Sequence, residues 1–202
     1  MIGLLVAFAS AGLIAASRTS HALLSYFVLA AAAVAMSLAD VPHAGTGLLS
    51  LGFAVALKLI VAPLSVIFLV RRHPSADDLH SGLTFSGRIV VVLLLAALAE
   101  ATASMPALRG LPLCREIIFA LLCGSSTMVV HRNLMAGIVG LLSMDAAVTL
   151  AGAEFAPLVP HLLDLFAAFD VLVVTVIAVS IARELHRHYP AFDVRSLRKL
   201  RG

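Results

Sequence analysis

Apolar residues run in continuous stretches along this chain, broken by short polar punctuation. The stretches fall at 2–17, 22–38, 48–70, 89–107, 116–130, 134–151 and 161–181. Most approach the ~20 residues that a helix needs to cross a hydrocarbon core. They do not alternate apolar with polar, and they are rich in Ala and Leu, which predicts helices rather than barrel strands. The first stretch has no Lys or Arg before it. It therefore lacks the charged leader of a signal peptide and is read as a helix. The expectation is an all-α integral membrane protein of about seven transmembrane helices.

Composition removes the soluble alternative. Hydrophobic residues make up 61% of the 202 residues and charged residues 12%, with no Trp and two Tyr. So few charges could not cover the surface of a water-soluble protein of this size. Disorder, a disulfide scaffold and a nucleic-acid binder are excluded on the same grounds. The net charge of +3 does not argue for nucleic acid, because where the charges sit matters more than their sum. Cys114 and Cys123 lie nine residues apart on one expected helix, roughly 13 Å along its axis, too far to bridge.

The distribution of Lys and Arg sets an orientation. The odd-numbered connections carry Arg18, then Arg71, Arg72 and Arg88, then Arg132. The tail adds Arg183, Arg187, Arg195, Arg198, Lys199 and Arg201, whereas the even connections carry only Arg109 and Arg115. This positive-inside bias puts the N-terminus outside and the C-terminus in the cytoplasm, which requires an odd number of crossings. The chain then divides into a three-helix region at 1–72, a cytoplasmic linker at 73–88, a fourth helix and outer loop at 89–110, a three-helix module at 111–184 and a basic tail at 185–202. Residues 12–72 and 126–184 also echo one another: Lys58 to Arg71 and Asp170 to Arg183 are both 13 residues. A duplication of that kind would give two copies running the same way through the membrane.

The informative side chains are the ionisable ones inside the stretches. Lys58 is the eleventh residue of 48–70, Asp170 the tenth of 161–181 and Asp145 the twelfth of 134–151. Each costs about 2.5–3.5 kcal/mol at a helix centre, so all three are expected to face protein or water rather than lipid. A chain of buried carboxylates with a central Lys suits a proton or cation relay; the competing reading is a set of salt bridges that locks helices together. Asp164 lies about 240° around the helix from Asp170, toward its outer end. Glu100 and Glu116 flank the fourth connection as outer-vestibule candidates, with exposure to water the plainer expectation for both. Pro63, five residues after Lys58, is expected to kink its helix. Gly137 and Gly140 would admit a close helix neighbour. No thiolate or His metal motif, phosphate loop or nucleophile elbow is present.

The run Arg132-Asn133-Leu134 leading to Gly140 and Asp145, a later span with Asp170, the tail from Phe192-Asp193-Val194 to Arg201-Gly202, and Lys58-Leu59-Ile60-Val61-Ala62-Pro63 together resemble hydrogenase-4 component E. That family is the small membrane subunit of membrane-bound nickel–iron hydrogenases related to formate hydrogenlyase. The resemblance covers most of the chain and is strongest at 55–72 and 128–202. The last three spans also resemble the K subunit of respiratory complex I and the matching subunit of multisubunit Na⁺/H⁺ antiporters. Asp145 and Asp170 fall on the family's carboxylate positions. The first K-subunit glutamate would fall on Leu142, with Asp145 one turn later as a substitute.

The resemblance implies a non-catalytic membrane-arm subunit in a bacterial inner membrane, with no cofactor of its own. Its implied partners are antiporter-like and quinone-site-type membrane subunits, the bilayer, and no nucleic acid. The alternatives are a structural membrane scaffold, a subunit of a multisubunit cation/proton antiporter and a stand-alone solute carrier. The Ala-, Leu- and Val-rich spans argue against a carrier's polar cavity.

Overall fold

The computed structural model describes residues 2–39, 55–72, 78–79, 81–106, 108, 113–131 and 133–155. These residues are mostly helical and contain no strand, only two isolated bridges. In chain order the helices are α1 (Ile2–Ala15), α2 (Thr19–Ala39), α3 (Ala62–Arg72), α4 (Phe85–Ala103), α5 (Cys114–Val130) and α6 (Leu134–Phe155). A π-helical segment, Leu57–Val61, runs directly into α3. Among the described residues three helices are long and apolar enough to cross a membrane: Thr19–Ser37 in α2, Phe85–Ala103, and Leu134–Glu154 in α6. The stretch at 161–181, with Asp164 and Asp170, lies outside the described residues, as does the basic tail.

Helices α1, α2, α5 and α6 form the core. α1 packs on α2 and α5, α2 on α6, and α5 on α6. One continuous cluster joins Val6 and Leu13 of α1, Tyr26 and Leu29 of α2, Ile117 of α5 and Val139, Leu142 and Leu150 of α6. The N-terminal helices and the module beginning near residue 111 thus share one interior. α4 lies outside this core against α5 and α1, with Ala99 its buried residue and Ile89, Leu93, Leu94 and Leu98 exposed. α3 and its π segment lie on the other flank, against α2.

Small residues let the core close. A Cβ on Gly140 would stand 2.7 Å from the Gly124 carbonyl oxygen, and one on Gly124 would stand 2.8 Å from Met144 Cγ. Backbones in contact at this range gain packing without help from water, as helices within a bilayer require. Gly137, expected to share that role, meets no described residue within 4 Å of a built Cβ. The hydroxyls in the apolar helices are satisfied locally. Ser10 donates to the Val6 carbonyl, Thr127 to that of Cys123 and Ser143 to that of Val139, each at 2.7 Å. Such back-bonding to the preceding turn removes the cost of an unpartnered polar atom. Cys114 and Cys123 are both buried and free on α5.

The fourth span begins earlier than the hydropathy suggests, at Phe85 rather than 89. Thr84 caps it, its hydroxyl accepting the Gly87 N–H at 3.3 Å, so Arg88 belongs to the first turn of α4 and not to a linker. There it closes the end of α1, donating to the carbonyls of Ala15 at 2.9 Å and Ala16 at 3.0 Å. A cation on the last carbonyls of a helix satisfies orphan acceptors and complements the dipole. His131, between α5 and α6, sets Nε2 3.0 Å from the same Ala16 oxygen and Nδ1 3.3 Å from the Thr127 oxygen. Asn133 caps α6 through the Met135 N–H at 3.0 Å and donates to the Asp78 carbonyl at 2.9 Å. Leu79 donates to Ser17 O and Gly82 to Val130 O. One end of the bundle is thereby stitched across four segments.

Burial of His131 pushes it below the ordinary imidazole range, against the upward pull of the Ala16 and Thr127 carbonyls, and the Arg88 charge lowers it further. The unfolded chain therefore takes up a proton near pH 6.5 while the folded one resists. The stability of this end is present above about pH 6.5 and is lost as pH falls through the lower folded value. In thermal unfolding of the detergent-solubilised chain, Tm should drop between pH 7 and pH 5, and His131→Gln should flatten that dependence.

Candidate functional site

The site is built around Lys58. Its side chain is 5% exposed, and its ammonium lies 3.0 Å from Asp145 Oδ2, whose side chain is 14% exposed. The ammonium also donates a hydrogen bond to the Thr149 hydroxyl. Thr149 in turn donates to the Asp145 carbonyl at 2.9 Å, one turn earlier on α6. Asp145 and Thr149 are four residues apart and so share a face of α6. Asp145 is the twelfth of the 22 residues of α6, which puts the pair at the middle of a membrane-length helix. A lone charge there would be costly, and pairing with hydrogen bonds offsets the desolvation.

The backbone beneath Lys58 is adapted to this position. In a π segment the Lys58 carbonyl would look to the N–H of residue 63. That residue is Pro63, which has none. The vacant acceptor is taken by Tyr26 of α2, whose hydroxyl donates to the Lys58 oxygen at 2.7 Å. Tyr26 is 1% exposed. One phenol therefore fills core volume and satisfies a carbonyl that would otherwise be orphaned at depth. The π segment runs directly into α3 and sets Lys58 against Asp145 and Thr149 of α6. Three elements meet here: α2 through Tyr26, the π segment through Lys58, and α6 through Asp145 and Thr149.

The other sequence candidates are distributed differently. Asp164 and Asp170 lie outside the described residues. Glu100 and Glu116 are brought together by Arg115 near one end of the bundle, where the two carboxylates part company in exposure. Glu100 is exposed and its 3.4 Å contact with Arg115 is a surface pair, of the kind that contributes little. Glu116, by contrast with the expected exposure to water, is buried, and its Oε1 accepts from Arg115 at 2.6 Å and 3.2 Å. Its burial follows from α1. Gly3 leaves room for the carboxyl group, since a Cβ there would sit 3.3 Å from the carboxyl carbon. A carboxylate beside the first turn of a helix is favoured by the dipole. Glu116 Oε2 is buried with no hydrogen-bond partner among the described residues. Leu142, where the K-subunit pattern would put a glutamate, is buried in the apolar core.

Tyr26, Thr149 and His131 are participants that the sequence reading passed over. Each carried a signal. Tyr26 is one of two Tyr in the chain and sits inside an apolar stretch, where a phenol needs a partner. Thr149 is one turn from Asp145. His131 sits beside the Arg-Asn motif. Among the described residues no group of three or more His, Cys, Asp or Glu could hold a metal ion. The arrangement offers a buried, paired cation and carboxylate, with a hydroxyl that accepts from the ammonium and donates to the Asp145 backbone carbonyl. Chemically it can hold, exchange or relay a proton between groups already in contact.

Tyr26→Phe tests the backbone lock. It leaves the Lys58 carbonyl unpartnered and should lower unfolding stability by about 1–3 kcal/mol, seen as a lower Tm in detergent with helical content unchanged by circular dichroism. An unchanged Tm would show that the hydroxyl carries no load. Compared with known proteins, the chain matches no protein-family model, no curated protein and no solved structure.

Proposed function

We propose that this chain is a non-catalytic membrane-arm subunit of a complex I-like oxidoreductase of the hydrogenase-4 and formate hydrogenlyase type. Its buried charges form part of a proton or sodium path. The observation that carries the reading is the buried Lys58–Asp145 ion pair, with Thr149 also accepting from the ammonium, near the middle of the apolar helix α6. A stable apolar packing would need no such pair, because replacing a buried ion pair by apolar residues is often neutral or stabilising. Intramembrane ionisable groups that face protein mark ion and proton pathways. Asp170 belongs to the same path in this reading, as the carboxylate of the following span.

In this reading the chain crosses a bacterial inner membrane seven times, with the N-terminus outside. The basic connections, with Arg18, Arg71 and Arg88, then face the cytoplasm. The subunit packs laterally against antiporter-like and quinone-site-type subunits and binds no cofactor itself. The apolar outer surface of α4 is compatible with a neighbouring subunit or lipid. The competing role is a scaffold in which the pair only locks the π segment to α6. The Tyr26 bond gives that reading some support, because it fixes the same segment to α2.

Substitution separates the two. Asp145→Asn and Asp170→Asn keep size and hydrogen bonding while removing charge. Each should lower ion translocation per electron transferred by at least about tenfold in the fraction that assembles, with Asp145→Asn also costing stability because Lys58 loses its counter-charge. Asp145→Glu should restore part of the coupling. Normal coupling with both amides, or failure of assembly with unchanged coupling in the assembled fraction, favours the scaffold.

A further inference from the structure

Between α2 and α3 runs a crevice of about 400 Å³. Its walls are Leu23, Leu24 and Phe27 from α2 and Pro63, Ile67 and Val70 from α3, and one end carries Ser20 and Arg71. The polar end and the apolar shaft are set by helix register. Ser20 lies in the first turn of α2 and Arg71 in the last turn of α3, so both stand where the helices finish. From Arg71 to Pro63 the wall descends eight residues, about 12 Å, and from Ser20 to Phe27 about 10 Å on the facing helix. The crevice is thus a short apolar slot that begins at a helix-end cation and runs toward the middle of the span. It opens sideways, since Leu24 is 66% and Phe27 46% exposed. None of the described residues that line it is acidic.

We infer that this crevice binds one anionic phospholipid of the bilayer, with its phosphate on Arg71 beside Ser20 and an acyl chain along Leu24, Phe27 and Ile67. The charge and the apolar wall specify the occupant together. A free anion would use the guanidinium and leave the slot unfilled, and a zwitterionic lipid would fill the slot and gain less at Arg71. Guanidinium groups bind phosphate through paired N–H donors. Basic pockets between transmembrane helices at the level of the headgroups are sites for anionic lipids. The site is separate from the Lys58–Asp145 pair, so it stands whether that pair relays ions or only joins helices. Its effect is to tie α3, which continues the π segment that carries Lys58, to α2 at the surface.

The full-length chain in mild detergent gives the test, by native mass spectrometry and thermal unfolding with added phosphatidylglycerol or phosphatidylcholine of matched acyl chains. Phosphatidylglycerol should be retained and raise Tm, with phosphatidylcholine retained about tenfold less. Arg71→Gln should abolish that preference while leaving Tm in lipid-free detergent unchanged. Leu24→Trp, which fills the slot, should reduce retention of both lipids. Equal retention of the two lipids by the unaltered chain would overturn the inference, as would an unchanged preference in Arg71→Gln. The same Tm rise with inorganic phosphate alone would also overturn it, by showing an anion site without a lipid.

Discussion

A charged group in the middle of an apolar bundle must be answered by another, and Lys58 is answered by Asp145. Burying either alone would cost several kcal/mol after relaxation. Together, at 3.0 Å and with Thr149 bound to the ammonium, they become compatible with a membrane-length helix. The rest of the local architecture serves that contact. Pro63 removes the donor that the widened turn would need, and Tyr26 supplies another from α2. Lys58 therefore owes its position to a neighbouring helix as much as to its own.

This arrangement requires a frame that does not slide. The α5–α6 contact, where Gly124 and Gly140 bring backbones together, fixes α6 laterally. The polar stitching by Arg88, His131 and Asn133 fixes one end of α1, α5 and α6. In a bilayer neither water nor a hydrophobic driving force holds helices in register, so small-residue packing and satisfied polar ends take that part. The stability of the site is accordingly spread over contacts distant from it. A change at His131 would be felt through α6, although His131 touches none of the paired groups.

Much of the helical layout was legible because continuous apolar runs leave little alternative in a membrane. The runs at 2–17, 22–38, 116–130 and 134–151 correspond to α1, α2, α5 and α6 to within a few residues. The start of α4 was misplaced because hydropathy does not register a Thr cap, and Arg88 consequently looked like a loop residue. Lys58 and Asp145 stood out because charge is rare in such runs, but nothing in their spacing of 87 residues showed that they meet. Tyr26 and Thr149 escaped notice for the opposite reason: uncharged polar residues are tolerated in helices and their partners are set by packing. Glu116 reads as a solvated span end, and its burial depends on Gly3 of a different helix. Asp164 and Asp170 lie beyond the described residues, so the relay proposed through Asp170 rests on the sequence.

The central claim is that Lys58 and Asp145 hold each other in the interior. A double-mutant cycle on unfolding stability in detergent, with Lys58→Met, Asp145→Leu and the pair of changes together, measures it directly. Each single change leaves one buried charge unanswered and should cost about 3–5 kcal/mol, whereas the double change should recover most of that loss. Strictly additive losses would contradict the account, because two groups that do not interact have nothing to recover.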